Sequence, residues 1–159
     1  MSRSYARTFL KKHHLLSVPF NINDCLHKLD VSIRYNYYGD FGAFLVITKT
    51  NKYIVVNKNL PIEYLRFFIA HEISHLILNH HGIMIKHILN YANSFYYQEK
   101  CADECARELL MPGQKLREYA NFFKFDVQAL KSFFKVSELN MVIKMKRLGL
   151  PYCNSTLKL

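Results

Sequence analysis

The chain of 159 residues is half apolar, with few glycines and prolines and no repeat, which predicts one compact unit with its own core. Lysine and arginine number 22 against 12 acidic residues, and the formal charge of +10 favours acidic partners or nucleic acid. No apolar run is long enough for a transmembrane helix and the four cysteines form no secreted disulfide framework, so we expect a cytoplasmic protein without a membrane partner.

The N-terminal third predicts two helices followed by strands. Residues 1–20 carry several basic side chains but no continuous apolar core, which favours a basic first helix over a secretory signal. Asn21 or Asn23 can cap a second helix that ends near Leu29. Three stretches rich in Val, Ile and Tyr then predict strands, at residues 31–35, 43–48 and 52–56.

The next segment, residues 61–80, is strongly apolar and contains H-E-x-x-H, formed by His71, Glu72 and His75. On a helix the two histidines lie one turn apart on the same face, where two imidazoles can hold one tetrahedral Zn²⁺. Glu72 lies off that face and can take a proton from water at the metal, as the general base of a zinc peptidase does. The alternative is a buried helix with two hydrogen-bonded histidines, but a metal would pair the whole polar cluster in the core.

A catalytic zinc site needs a third protein ligand. His81 stands where the metzincin pattern has its last histidine, but Leu78 replaces the glycine that turns the chain. With no break before Gly82, we expect the helix to continue and to place His81 on a different side, so we reject His81. Glu99 is the better candidate, because residues 98–112 predict a second helix on which Glu99 and Asp103 are one turn apart. Asp103 would then accept a hydrogen bond from a ligand histidine.

The alternative for this second helix is a solvated acidic face that also includes Glu104 and Glu108. Ala102 and Ala106, on the acidic side, favour the ligand interpretation because small side chains let the two helices approach closely. Cys101 and Cys105 share the opposite face. They could bind a separate metal or sense an oxidant, but small buried apolar side chains are the role we expect.

H-E-I-S-H followed by E-x-x-A-D-x-x-A-x-E-L-L-M-P resembles the ImmA/IrrE family of zinc metallopeptidases. Residues 136–137 and 146–150 also resemble the C-terminal segment of that family. The chain departs from the family at Cys105, where phenylalanine is common. The resemblance implies a zinc endopeptidase whose substrate is regulatory: a helix-turn-helix repressor of a mobile element, prophage or stress regulon.

A peptidase of this type can bind an extended substrate along an edge strand beside the metal. We expect the strand over residues 53–56, with Tyr53 and Val55, to have this role; the alternative is an ordinary interior strand. A donor near the metal would stabilise the tetrahedral intermediate. The segment 79–98 offers several candidates among which spacing does not decide: His80, His81, His87, Tyr91, Tyr96 and Tyr97.

After Pro112 the sequence predicts three helices, over residues 114–123, 126–134 and 137–148, the last two with Asp126 and Ser137 as N-caps. These two have the proportions of a helix-turn-helix and would direct three basic side chains at phosphates. Those side chains are Lys144, Lys146 and Arg147. Alternatively, the pair packs on the catalytic core through Leu130, Phe133, Val136, Val142, Met145 and Leu148.

The family resemblance favours the packing role for this helical pair. We therefore expect an α+β protein: a small antiparallel or mixed sheet on the H-E-x-x-H helix in residues 1–112, and a C-terminal helical segment in residues 113–159. Two functions remain: a zinc endopeptidase, or a non-catalytic regulator that binds DNA or a partner repressor through its basic surface. An intact Glu72 favours the first, because a structural zinc site has no use for a base.

Overall fold

A computed structural model describes residues 2–39, 41–80 and 92–153, and it confirms the predicted α+β class. The described residues form seven helices and three strands. In chain order they are α1 Ser2–Lys12, α2 Ile22–Leu29, β1 Ser32–Asn36, β2 Ala43–Ile47, β3 Lys52–Asn57, α3 Ile62–Ile77, α4 Ala92–Leu110, α5 Gly113–Phe122, α6 Val127–Phe134 and α7 Glu138–Arg147.

The three strands form one mixed sheet with the order β1-β3-β2. β2 pairs with β3 antiparallel, in the register Leu45 opposite Ile54, and β1 pairs with the other side of β3 in parallel. β3 therefore has a neighbour on each side, and the prediction that Tyr53 and Val55 lie on an edge strand is wrong. Two side chains of this central strand, Ile54 and Val56, are fully buried.

Helix α3 lies in the core, as its nearly all-round apolar pattern predicts, with Ile69, Ala70 and Ile73 buried. It is shorter than predicted, because the helix ends at Ile77 and Asn79 takes a left-handed φ of 56°. Asparagine is one of the few residues that adopt this conformation readily. The chain therefore turns before residue 80, contrary to the expectation of an unbroken helix. His81 lies outside the described residues.

Helix α4 begins at Ala92, six positions earlier than residue 98, where the sequence predicts it. Tyr96 and Tyr97 are therefore helical residues. Ala102 and Ala106 are fully buried, as expected for a helix that packs closely on a neighbour. α4 packs against both α3 and α1, so it lies between the first helix and the H-E-x-x-H helix.

The C-terminal helices have the predicted caps. Asp126 accepts hydrogen bonds from the backbone N–H groups at the start of α6, and Ser137 does the same for α7. The apolar side chains proposed to pack this pair are buried or lie against the core. Lys144, proposed to face phosphates, is instead 2% exposed, so that part of the DNA prediction is wrong. The division of the chain at residue 112 stays a prediction.

Candidate metal centre

Three potential ligands from two helices converge on one point. His71 and His75 extend from the same face of α3, and their Nε2 atoms are 3.0 Å apart. Glu99 of α4 approaches both: Oε2 lies 3.0 Å from His71 Nε2, and Oε1 lies 3.4 Å from His75 Nε2. Within the described residues, this is the set of three His, Cys, Asp or Glu side chains close enough together to hold a metal ion.

The spacing of these atoms fits a tetrahedral metal. Ligands at the usual zinc distance of about 2.0–2.1 Å are separated by roughly 3.3 Å in a tetrahedron. The three separations of 3.0, 3.0 and 3.4 Å are close to that value. Two imidazole nitrogens and a carboxylate are also a donor set that zinc accepts, and an open cleft adjoins them.

The second nitrogen of each histidine has a partner that orients the ring. His71 Nδ1 donates to Asp103 Oδ1 over 3.0 Å, as the E-x-x-x-D spacing predicts. His75 Nδ1 lies 3.2 Å from Nδ1 of His80, whose backbone N–H donates to the His75 carbonyl. With their Nδ1 atoms occupied in this way, both rings present Nε2 to the common point.

Sequence reasoning named His80 only as one of six possible oxyanion donors. The contact of His80 with His75 depends on the left-handed turn at Asn79. In the sequence, an asparagine directly before a histidine is the signal that indicates such a turn.

Burial and neighbouring charges shift the pKa values of all three residues of the triad. Burial lowers the pKa of His71, but hydrogen bonds with Asp103 and Glu99 outweigh it and raise the pKa to about 9. Burial and the neighbouring His71 lower the pKa of His75 to about 4. The hydrogen bond with His71 in turn holds the pKa of Glu99 below its usual range. A metal and a proton compete for the same Nε2 atom, so metal binding would release protons.

Glu72, the predicted base, lies beside the triad in the cleft. Burial raises its pKa to about 7, although the charge of His71 and a hydrogen bond from the backbone N–H of Leu45 act in the opposite direction. Leu45 belongs to β2, so the sheet itself holds the Glu72 carboxylate in place. A carboxyl group with a pKa near neutrality can both accept and release a proton at physiological pH.

The cleft has a volume of about 520 Å³ and is bounded by α3, α4 and the start of β2. Phe67 and Phe68 form an apolar wall, whereas Tyr96 and Lys100 contribute polar groups from α4. Gly42 lies so close to this wall that an added Cβ would be 2.5 Å from the Phe68 ring. Because glycine has no side chain, the Phe68 ring can pack against residue 42 beside the cleft.

The structure brings together some of the other predicted residues but not all. Tyr96 lines the cleft, while Tyr97 is hydrogen-bonded to Cys101. His87 and Tyr91, like His81, lie outside the described residues. Cys105 is fully buried and Cys101 partly so, which agrees with the expected role as small apolar side chains.

A sheet that holds a glutamate beside two helical histidines, with a carboxylate arriving from the next helix, defines the metallopeptidase class of the H-E-x-x-H type. The profile of the IrrE N-terminal-like domain, the M78 peptidase family, matches residues 22–146. The chain belongs to this family of metallopeptidases. No curated protein matches the chain closely enough to identify a relative. Among the described helices, none combines the length and apolarity needed to cross a bilayer.

Proposed function

We propose that this protein is a zinc-dependent endopeptidase that cleaves a regulatory protein in the cytoplasm. The observation that carries the proposal is the convergence of His71, His75 and Glu99 on one point, next to a cleft that His71, Glu99 and Glu72 line. His71, His75 and Glu99 would hold the metal, and Asp103 would orient His71.

Bound zinc would supply Lewis-acid chemistry, lowering the pKa of water and polarising the scissile carbonyl. The carboxylate of Glu72 removes the proton from the attacking water and later passes it to the nitrogen of the leaving amine. The N–H of Leu45 keeps that carboxylate directed into the cleft. Phe67 and Phe68 exclude water from one side of the reacting groups.

The substrate would extend along β2 rather than along β3. The Gly42 carbonyl accepts a hydrogen bond from the N–H of Asn57, so the backbone of residue 42 faces β3. The N–H of Thr48 donates to the carbonyl of Asn51, so the backbone of residue 48 faces the same side. In an antiparallel pair the orientation alternates, so the backbone groups of Ala43, Leu45 and Ile47 face away from β3. This edge begins at the cleft, where Ala43 is a wall residue. Because the Leu45 N–H is held by Glu72, an extended peptide would add backbone to backbone through Ala43, Ile47 and the carbonyl of Leu45.

The proposed substrate class is a helix-turn-helix repressor of a mobile element, prophage or stress regulon. The resemblance of the motifs to the ImmA/IrrE family supports it, and the formal charge of +10 favours an acidic surface on that partner. The four cysteines are all free, in keeping with a reducing cytoplasm. Cleavage of the repressor would relieve repression.

The decisive experiment is to co-express the protein with a helix-turn-helix repressor encoded beside it and to look for a repressor fragment. Wild-type protein should produce the fragment, and Glu72→Gln should reduce the cleavage rate by about 10²–10⁴-fold, the usual contribution of a general base. Metal content should be unchanged in the variant. Glu63→Gln, on the first turn of the same helix, is the matched control and should cleave normally.

A Glu72→Gln variant that carries a full complement of zinc and still relieves repression would overturn the peptidase mechanism. The protein would then be a non-catalytic regulator that acts by binding the repressor or its DNA. Of the three basic residues proposed to contact DNA, Lys146 alone is exposed without an acidic partner in the described part of the chain. This pairing pattern favours the peptidase over a DNA-binding regulator.

A further inference from the structure

Behind the metal centre, Arg107 lies one helical turn beyond Asp103 on α4 and is 8% exposed. Its Nη2 donates to Oδ2 of Asp103 over 3.0 Å. The other oxygen of the same carboxylate, Oδ1, accepts the hydrogen bond from His71 Nδ1. Asp103 is therefore held between an arginine and a candidate metal ligand, and each of its oxygens has a separate partner.

The remaining edges of the Arg107 guanidinium are also occupied. Nε donates to Oδ1 of Asn140 on α7 over 2.8 Å, and Nη1 donates to Glu104 over 3.2 Å. Asn140 in turn donates from Nδ2 to Oγ of Ser137, the residue that caps α7. The guanidinium carbon lies 5.2 Å from the centre of the Phe67 ring, within the range of a cation–π contact.

These contacts form one continuous path from the C-terminal helical segment to the metal centre. It runs from Asn140 through Arg107 and Asp103 to His71, and every step is a hydrogen bond of 2.8–3.0 Å. The path also affects the orientation of the Asp103 carboxylate. The Asp103 side chain is 36% exposed, so packing alone does not fix its rotamer, and the hydrogen bond from Arg107 Nη2 supplies the further constraint.

We propose that Arg107 is a positioning residue for the metal centre: it fixes the orientation of Asp103, which in turn directs His71 Nε2 at the metal. The C-terminal helices, through Asn140, complete the site. This inference rests on the proposed zinc site and goes beyond it, because it assigns part of the metal affinity to residues outside the cleft. Three contacts in different directions require a planar fork, which lysine does not provide.

The test is the affinity of the full-length metal-free protein for Zn²⁺ and Co²⁺, measured by competition with a chelator. Arg107→Gln should weaken binding of both metals by about 10–100-fold, the usual cost of removing an outer partner of a ligand. Arg147→Gln is the matched control, because Arg147 pairs with Glu104 in the same network without touching Asp103. It should bind both metals as tightly as the wild type does.

A double-mutant cycle separates positioning from a general loss of stability. Asp103→Asn alone should weaken metal binding, and adding Arg107→Gln to it should cause little further loss, because Arg107 acts through the Asp103 carboxylate. Should Arg107→Gln fail to fold, Arg107→Lys provides the second variant. It keeps a buried positive charge but loses the fork, so its metal affinity should fall between those of wild type and Asp103→Asn.

Three outcomes would overturn the inference while leaving the zinc site in place. One is wild-type affinity in Arg107→Gln or Arg107→Lys, another is an equal loss in Arg147→Gln, and the third is full additivity with Asp103→Asn. Failure of the proposed function looks different. In that case the wild-type protein itself would not bind zinc, or it would bind zinc without any activity dependent on Glu72.

Discussion

Helix α4 contributes carboxylates to two charged clusters that differ in what surrounds them. Toward its middle, Glu99 and Asp103 face the histidines of α3, and each side chain is 36% exposed. In its last turn, Glu108 is fully buried and meets Lys144 of α7, Arg7 of α1 and the backbone N–H of Gly113. The first cluster opens on a cleft, and the second is sealed.

The difference shows how a structural charge cluster can be told from a functional one. Each oxygen of Glu108 is paired with a cation or an N–H, so neither is available to bind a metal ion. These contacts join α1, α4 and α7. In the other cluster two imidazole nitrogens and a carboxylate point at the same position. Such convergence requires a positive charge between the groups, which a proton on His71 or a bound metal ion can supply.

The largest expected effect comes from opening the sealed cluster. Glu108→Gln would leave Lys144 buried without its carboxylate, which should lower the free energy of unfolding by about 3–5 kcal/mol. Chemical denaturation measures the change. Glu118→Gln, in an exposed pair with Lys115, is the control and should have no measurable effect. Equal stability of the two variants would show that the sealed cluster contributes nothing to the fold.

Glu99→Gln should weaken zinc binding strongly and change the stability of the metal-free protein little. Removing a direct ligand should weaken zinc binding by more than the roughly 10–100-fold typical of an outer partner. Stability without metal should change little, because Glu99 is partly exposed and His71 keeps its bond to Asp103. In a thermal scan, zinc should raise the Tm of the wild type but not that of the variant. A zinc-dependent Tm shift of wild-type size in Glu99→Gln would remove this residue from the ligand set.

The pH dependence of stability tests whether the ionised carboxylate of Glu108 stabilises the fold. Burial opposes ionisation of Glu108, but Lys144, Arg7 and the Gly113 N–H outweigh it and hold its pKa below the usual 4.5. The unfolded chain therefore takes up this proton at a higher pH than the folded protein does. The stabilisation is fully present above about pH 4.5 and is lost as the pH falls toward the lower folded pKa.

The Tm difference between wild type and Glu108→Gln should accordingly be constant from pH 7 to pH 5 and shrink below that. A difference that is independent of pH down to pH 3 would contradict the assignment of the stabilisation to the ionised carboxylate.

The smallest expected effect concerns the wall of the cleft. Gly42→Ala would place a methyl group against the Phe68 ring, costing about 1–3 kcal/mol of stability and displacing the ring toward the cleft. The kcat/KM for a peptide substrate should fall, while zinc affinity should stay at the wild-type value. Phe68→Leu in the same chain should restore part of both losses; if it restores neither, the contact at Gly42 does not shape the cleft.

Much of the site could be predicted because it depends on spacing within single helices. His71 and His75, like Glu99 and Asp103, are four residues apart, and helical geometry places each pair on one face whatever the rest of the chain does. The caps at Asp126 and Ser137 were predictable for the same reason, since a cap acts on backbone groups within three residues.

Errors arose where a contact joins distant parts of the chain. Strand order is one example: alternation within residues 52–56 does not reveal that β1 pairs with one side of β3 and β2 with the other. Lys144 is another, because a basic residue in a helix-turn-helix-like pair resembles a phosphate ligand until Glu108 is found beside it.

Local spacing in the sequence is enough to predict the class of chemistry. The helical repeat places His71 with His75 and Glu99 with Asp103, and H-E-x-x-H adds Glu72 beside the first pair. Only the tertiary structure shows which strands are the outer ones of the described sheet, how His80 returns to His75, and that Arg107 links α7 to Asp103. The reason is physical. Local geometry follows from backbone sterics a few residues long, whereas partners from distant segments are selected by burial and charge compensation across the whole fold.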